Sequence, residues 1–177
     1  MYNDFRVTES AIIEGLKIIE PDFFEDNRGI LYTDYLQGFV KEELGIDFNH
    51  SKVAISNENV LRGIHGDSKS FKLVSCLHGE VFQVAVDMRK DSPTYLIHES
   101  FDLSSDKPKL ILLPPGIGNA FLVTSTKAVY SYKLSYEGEY IDADDQFTCH
   151  WADPQLNIKW PNKKPILSKR DQNASYL

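Results

Sequence analysis

The stretch VLRGIHGDSKSFKLV, Val60 to Val74, sets an arginine, a histidine and a lysine close together in a chain otherwise built like β-structure. Histidine is the side chain whose ordinary pKa, about 6.5, lets it take or give a proton near neutrality. Lysine and arginine supply positive charge, arginine as a planar fork of donors that suits phosphate. Taken singly, each residue has a plainer reading. His65 in a β-rich chain is more often a satisfied structural residue, and His50, His78, His98 and His150 stay at that level. Lys72 alternates with Leu73 and reads alone as a solvated edge lysine, Arg62 as a surface charge and Asp171 as decoration near the end of the chain.

Metal binding is the first combination to test. Many β-jelly rolls of the cupin type hold a metal through two histidines one residue apart, an acid and a further histidine. Here Ile64, His65, Gly66 and Asp67 offer one histidine, and His78 sits beside Gly79 at a turn. The ligand count fails, so no metal is expected. The sequence also has no glycine-rich phosphate loop opening a helix, no G-x-S-x-G elbow and no C-x-x-C.

The elements that must position these residues read as strands. From Ile30 onward LYTDYLQGFV, KVAIS, FKLVSCL, EVFQVAVDM, TYLIHESFDL, LILLP, NAFLVT and AVYSYKLSY are short, rich in Val, Ile, Tyr and Phe, and punctuated by Gly, Pro, Asn and Asp. Several have apolar residues on both alternation phases, as in Val81 to Val86, which suits sheets covered on each side by a second layer or a subunit interface. An all-β barrel or jelly roll follows. Helical signals are few: Tyr35 to Leu44 can hold a short helix, the stretch after Pro165 another or none, and the NASYL tail is expected to be loose unless a partner docks it.

With 177 residues, 42% hydrophobic and 12% aromatic, the chain suits one domain with one core, spanning 1–177. A net charge of -7 and a pI near 5.2 argue against a nucleic-acid partner, so an anionic ligand must meet a local basic pocket. Only two cysteines, Cys76 and Cys149, appear, with no paired spacing, which points to a reducing compartment. Acids near the N-terminus and the lack of a long apolar run make a cytoplasmic protein, with no membrane partner, the expectation.

The run ENVLRGIHGDSKSFKLVSCLHGEVFQVAVDMRKDSPTY resembles the central block of the dTDP-4-dehydrorhamnose 3,5-epimerase family, with its L-R-G-[LI]-H, K-L-V and G-E-V-F-x-V-A-V-D-x-R-x-x-S-P-T motifs. The resemblance continues through FFEDNRGILYTDY, LPPGIGNAF, HWADPQLNIKWP and LSKRD, covering the chain from Ile18 to Asp171 in the family's order. It implies a cupin-type jelly roll, a homodimer, and work on a nucleotide-diphosphate-linked 4-keto sugar without metal or coenzyme. A ketone at C4 acidifies the hydrogens on C3 and C5. Inverting either centre needs a base on one face, a proton donor on the other, and a cation at the enolate oxygen. The resemblance makes His65 the base, Asp171 its orienting partner and Lys72 the group at the C4 oxygen. Arg62 and Arg28 would grip the diphosphate, and Asn119, Phe23 and Ser56 complete the expected substrate-contacting set.

The sequence departs from the family in three places. The proton-donating tyrosine of the family lies in a region where about three residues have been inserted between Lys133 and Trp151. Tyr140 needs the smallest adjustment and Tyr136 is the runner-up; Tyr130, Tyr132, Tyr136 and Tyr140 share one strand parity, so alternation does not separate them. Asn119 stands where a histidine is usual, and Gln83 where the family has an acid; neither amide titrates near neutrality. These changes point to a substrate other than the rhamnose precursor, with a GDP-linked 4-keto heptose or 6-deoxyheptose of capsule-type pathways preferred over a dTDP-linked 4-keto-6-deoxyhexose. Two other functions compete: a 3,4-ketoisomerase on the same fold, and a non-catalytic module that binds sugar nucleotides. The retained LRGIH, KLV and LSKRD blocks favour the epimerase.

Overall fold

The computed structural model describes residues 4–140 and 142–177. In chain order its elements are β1 (Phe5–Glu9), β2 (Lys17–Pro21), β3 (Phe23–Asp26), β4 (Gly29–Tyr32), α1 (Gln37–Leu44), β5 (His50–Asn57), β6 (Leu61–Gly66), β7 (Phe71–His78), β8 (Glu80–Asp87), β9 (His98–Ser104), β10 (Leu110–Leu113), β11 (Ile117–Val123), β12 (Lys127–Ser135), α2 (Asp142–Asp145), β13 (Phe147–Thr148) and α3 (Lys169–Gln172). One sheet runs β1-β2-β10-β7-β12-β5, the other β13-β6-β11-β8-β9, and β3-β4 stands apart as a hairpin. The two sheets face each other as a cupin-type jelly roll, as the strand pattern leads one to expect.

The alternation of each strand decides its layer. Val74 and Cys76 of β7 and Tyr130 of β12 meet Val81 and Ala85 of β8 and Phe121 of β11 between the sheets. The opposite phase of β8, Val84 and Val86, packs outward with Leu122 against Cys149, Leu156 and Trp160 from the segment that follows β13. Burying each such aliphatic side chain stabilises by about 1.5–3 kcal/mol. The two-phase apolar pattern of β8 is therefore satisfied within one chain. On the outer face of the first sheet, Leu73, Leu110 and Leu112 are covered by Val40 of α1 and by Ile46, just past the glycine (Gly45, φ 68°) that ends that helix. The cover stops short of the edge strand β5, where Val53 and Ile55 are 57% and 65% exposed.

The tail corrects the sequence-based expectation. It is docked on its own domain: the Leu177 amide donates to Asp153 Oδ2 at 2.7 Å, the His150 amide donates to the Ser175 carbonyl at 3.0 Å, and the Tyr176 ring stacks on His150 with centroids 4.2 Å apart. No helix among the described residues is long and apolar enough to cross a membrane.

Candidate active site

The chain crosses from one sheet to the other between β6 and β7, and that crossing makes the site. His65 lies on β6, Lys72 on β7, and the connecting residues 67–70 bridge the mouth of the barrel. Arg62 and His65 are three residues apart, which in a regular strand would put them on opposite faces. The pairing of β6 with β11 absorbs the difference: Phe121 opposes Arg62 and Asn119 opposes His65, so two residues of β6, Gly63 and Ile64, run against one of β11, Ala120. Both side chains thereby reach one cavity. Gly63 lies inside this bulge at φ 118°, and a Cβ there would meet the Asn119 carbonyl oxygen at 2.5 Å. The glycine of LRGIH is what lets β6 approach β11 this closely.

The cavity measures about 210 Å³, and its wall includes His65, Lys72, Arg62, Lys52, Asn119 and Tyr132. Arg170 and Asp171 close one side from α3, and Ala143 and Gln146 come from the segment between β12 and β13. Four cationic side chains, Lys52, Arg62, Lys72 and Arg170, thus converge in a protein whose net charge is -7. This is the local basic pocket that an anionic ligand requires here.

Asp171 Oδ1 lies 2.5 Å from His65 Nε2, with the carboxylate side chain 2% exposed and the imidazole 22%. Its place is set by the turn of α3, where the Asp171 amide donates to Ser168 Oγ at 3.1 Å. With Nε2–H given to the carboxylate, the neutral imidazole carries its lone pair on Nδ1, the nitrogen left to accept a proton. Lys72 is not the solvated lysine of its plain reading: its side chain is 7% exposed and Nζ sits 3.0 Å from Asp67 Oδ2. Burial alone would raise the Asp67 pKa, but the Lys72 charge and the hydrogen bonds from Ser70 outweigh it and hold the carboxyl below its ordinary range.

Arg62 donates from Nε to Ser56 Oγ at 3.1 Å, so Ser56 stands behind the guanidinium and aims its outer fork. Asn119 is held by its neighbours. Its Oδ1 accepts from Gln83 Nε2 at 2.6 Å and from Tyr130 OH at 3.3 Å, while Tyr130 OH also reaches Gln83 Oε1 at 2.5 Å. Burial pushes the Tyr130 phenol well above its ordinary value, so it remains a donor.

The structure does not bring every expected residue to the cavity. Arg28 and Phe23 lie on the β3-β4 hairpin; Arg28 is paired with Asp26 and its side chain is 80% exposed, and neither residue lines the cavity. Tyr140 and Tyr136 also lie outside the lining. Tyr140 OH donates to Asp67 Oδ2 at 3.3 Å and accepts from Gln146 Nε2 at 2.7 Å. Tyr136 OH is 3.2 Å from His50 Nδ1, and the two tyrosine rings stack. Among the described residues, the tyrosine in the wall is Tyr132, missed because parity alone does not choose among four tyrosines. Strand pairing does: Leu134 of β12 opposes Lys72 and Tyr132 opposes Val74 on one side and Lys52 on the other. Lys52, equally missed, comes in through that same register.

Residues 10–177 match the family model described as dTDP-4-dehydrorhamnose 3,5-epimerase. The chain is 36% identical over 180 residues to the dTDP-4-dehydrorhamnose 3,5-epimerase of Salmonella typhimurium, covering 97% of this chain and 94% of the relative. It is 35% identical over 170 residues to a dTDP-4-dehydrorhamnose 3-epimerase of Streptomyces niveus, covering 93% and 81%. Among solved structures, the dTDP-6-deoxy-D-glucose-3,5-epimerase of Legionella pneumophila in complex with dTDP-4-keto-L-rhamnose superimposes with a TM-score of 0.89 at 35% identity, covering 98% of this chain and 93% of that one.

Proposed function

The chain belongs to the dTDP-4-dehydrorhamnose 3,5-epimerase family and is an isomerase, and from that premise we propose that it inverts C3, C5 or both of a nucleotide-diphosphate-linked 4-keto sugar. The observation that carries the reading is the His65–Asp171 dyad set in a wall that also holds Lys72 and Tyr132. His65 takes the proton from the carbon next to the ketone through Nδ1, and Asp171 stabilises the imidazolium that forms. Lys72 meets the negative charge that develops on the C4 oxygen, a contact whose loss typically costs about 10²- to 10³-fold in rate. Tyr132 delivers a proton to the opposite face. Arg62 holds the diphosphate, with Lys52 and Arg170 adding positive charge along the wall. Asn119 offers its amide N–H to the sugar because its oxygen is already taken.

The relatives are named for dTDP-linked sugars, which supports a dTDP-linked 4-keto-6-deoxyhexose as substrate. The amide pair Gln83–Asn119 stands where the family has an acid and a histidine, and that departure keeps a GDP-linked 4-keto heptose as the second substrate to test. Incubating the protein with both nucleotide sugars in deuterated water, with products read by NMR, separates these. Deuterium at C3 or C5 with an inverted product is the expected result. No incorporation from any 4-keto nucleotide sugar would leave a binding module, and a ketone moved to C3 would mark a ketoisomerase.

The working unit is a homodimer. Val53 and Ile55 on the edge strand β5 leave an apolar strip that a second copy can cover. Arg28 and Phe23 stand outside the cavity of their own chain, so a role on the nucleotide falls to them only through that second copy.

A further inference from the structure

Asp67 takes no part in the steps above, yet its carboxylate is built into the site from several sides. Besides Lys72, it accepts the Ser70 hydroxyl at 2.7 Å, the Ser70 amide at 2.6 Å and the Lys69 amide at 2.9 Å. Tyr140 reaches the same Oδ2 from the segment between β12 and β13, and Gln146 fixes that phenol. The Ser70 and Lys69 donors hold the carboxylate independently of Lys72. The acceptor is therefore preorganised and the lysine is aimed by it.

The surroundings make such an acceptor necessary. Lys52 of β5, Arg62 of β6 and Arg170 of α3 face the cavity beside Lys72 and favour its neutral form. The His65–Asp171 pair faces it from β6 and α3, with the carboxylate committed to the imidazole, and Tyr132 lies on the neighbouring strand β12. At the rim Asp145 is engaged by Lys69 Nζ at 2.9 Å. A lysine this buried keeps its charge only against a close anion, and Asp67 is at 3.0 Å.

We propose that Asp67 is a positioning residue that keeps Lys72 cationic and aimed at the C4 oxygen, and that Tyr140 completes the set of donors holding Asp67. The catalytic half of this inference rests on the epimerase reading; the charge coupling between the two side chains does not.

The test uses the full chain and Asp67→Asn, which keeps the shape and removes the charge. Heteronuclear NMR of isotope-labelled lysine, assigned with Lys72→Met, follows the Lys72 titration without any substrate. Asp67→Asn should move that titration to lower pH, and superimposed curves overturn the coupling. With a dTDP-linked 4-keto-6-deoxyhexose, the variant should lose about tenfold or more in kcat for C3 exchange. KM should stay within about threefold, and the alkaline limb of kcat should shift to lower pH. An unchanged limb and kcat overturn the catalytic role. A wild-type protein that exchanges no 4-keto nucleotide sugar overturns the epimerase reading instead, leaving the titration to judge Asp67. If Asp67→Asn does not fold, Tyr140→Phe decides: it frees Oδ2 of a competing donor, so the Lys72 titration should move by a smaller amount to higher pH, and no shift overturns the proposal.

Discussion

Asn119 lies directly across from His65 in the β6–β11 pairing, and its side-chain oxygen is occupied by Gln83 and Tyr130. The neighbour of the proposed base is thus an amide locked in one orientation by buried groups, in place of a group that titrates. Gln83 and Tyr130 are both fully buried, so their polar atoms depend on one another.

That dependence predicts a stability effect. Gln83→Leu should destabilise the fold by roughly 1–3 kcal/mol, because it removes the nearer acceptor of the Tyr130 hydroxyl and the amide donor to Asn119 Oδ1, leaving only the longer Tyr130–Asn119 contact. Urea unfolding at neutral pH measures it. A variant as stable as wild type would show that Tyr130 and Asn119 satisfy each other without the glutamine.

Removing the proposed base should separate chemistry from binding. His65→Asn is expected to lower turnover by about 10²- to 10⁴-fold while nucleotide-sugar affinity changes little, since the base acts in the transition state. Asp171→Asn should cost less, because it leaves the imidazole in place and removes only its orienting charge. Steady-state kinetics with calorimetric binding tests both; more than about a tenth of wild-type activity in His65→Asn would remove the assignment.

Acid stability should depend on Asp87. Burial alone would raise its carboxyl, but Arg89, Ser92 and Thr94 more than compensate and hold it well below the ordinary carboxylate value. A depressed folded-state value stabilises above the unfolded value, about 4, and the contribution disappears as pH falls towards the folded one. Asp87→Asn should therefore be less stable at pH 7 by roughly 2–3 kcal/mol, and its stability should fall less between neutrality and acid. Thermal melts across that pH range check the sign.

The strip on β5 predicts assembly. Wild type should sediment as a dimer at micromolar concentration, and Val53→Asp with Ile55→Asp should yield monomer, because two charges cannot be buried unpaired in an interface. A monomeric wild type would remove the proposal. The two-phase pattern of β8, by contrast, no longer argues for a partner, since Trp160 and Leu156 cover its outer face.

The parts of the site legible in the sequence are those carried by contiguous motifs. Arg62, His65 and Lys72 sit within one strand–loop–strand unit, and Asp171 is fixed by its own helix turn through Ser168. What the sequence hides is register. That Arg62 and His65 share a face depends on a bulge visible only in the pairing with β11. That Lys52 reaches the cavity depends on its pairing with Tyr132. The docked tail was equally hidden, because a five-residue segment shows nothing of the Asp153 carboxylate and His150 ring that receive it.

The donor tyrosine gives the sharpest test of the register argument. His65 can remove a proton and return solvent deuterium to the same face with no donor opposite, so exchange at the carbon it attacks does not need a tyrosine. Inversion does. Tyr132→Phe should accordingly slow inversion far more than exchange, because its phenol is in the cavity wall while the carbanion side remains served by His65 and Lys72. Tyr140→Phe should change exchange and inversion together and only modestly, because its hydroxyl acts on Asp67 and, through it, on Lys72. Deuterium incorporation and product stereochemistry measured by NMR in the same reaction distinguish the two patterns. If Tyr140→Phe uncoupled exchange from inversion while Tyr132→Phe did not, the segment between β12 and β13 would have to close onto the sugar during turnover, and Tyr140 would be the acid.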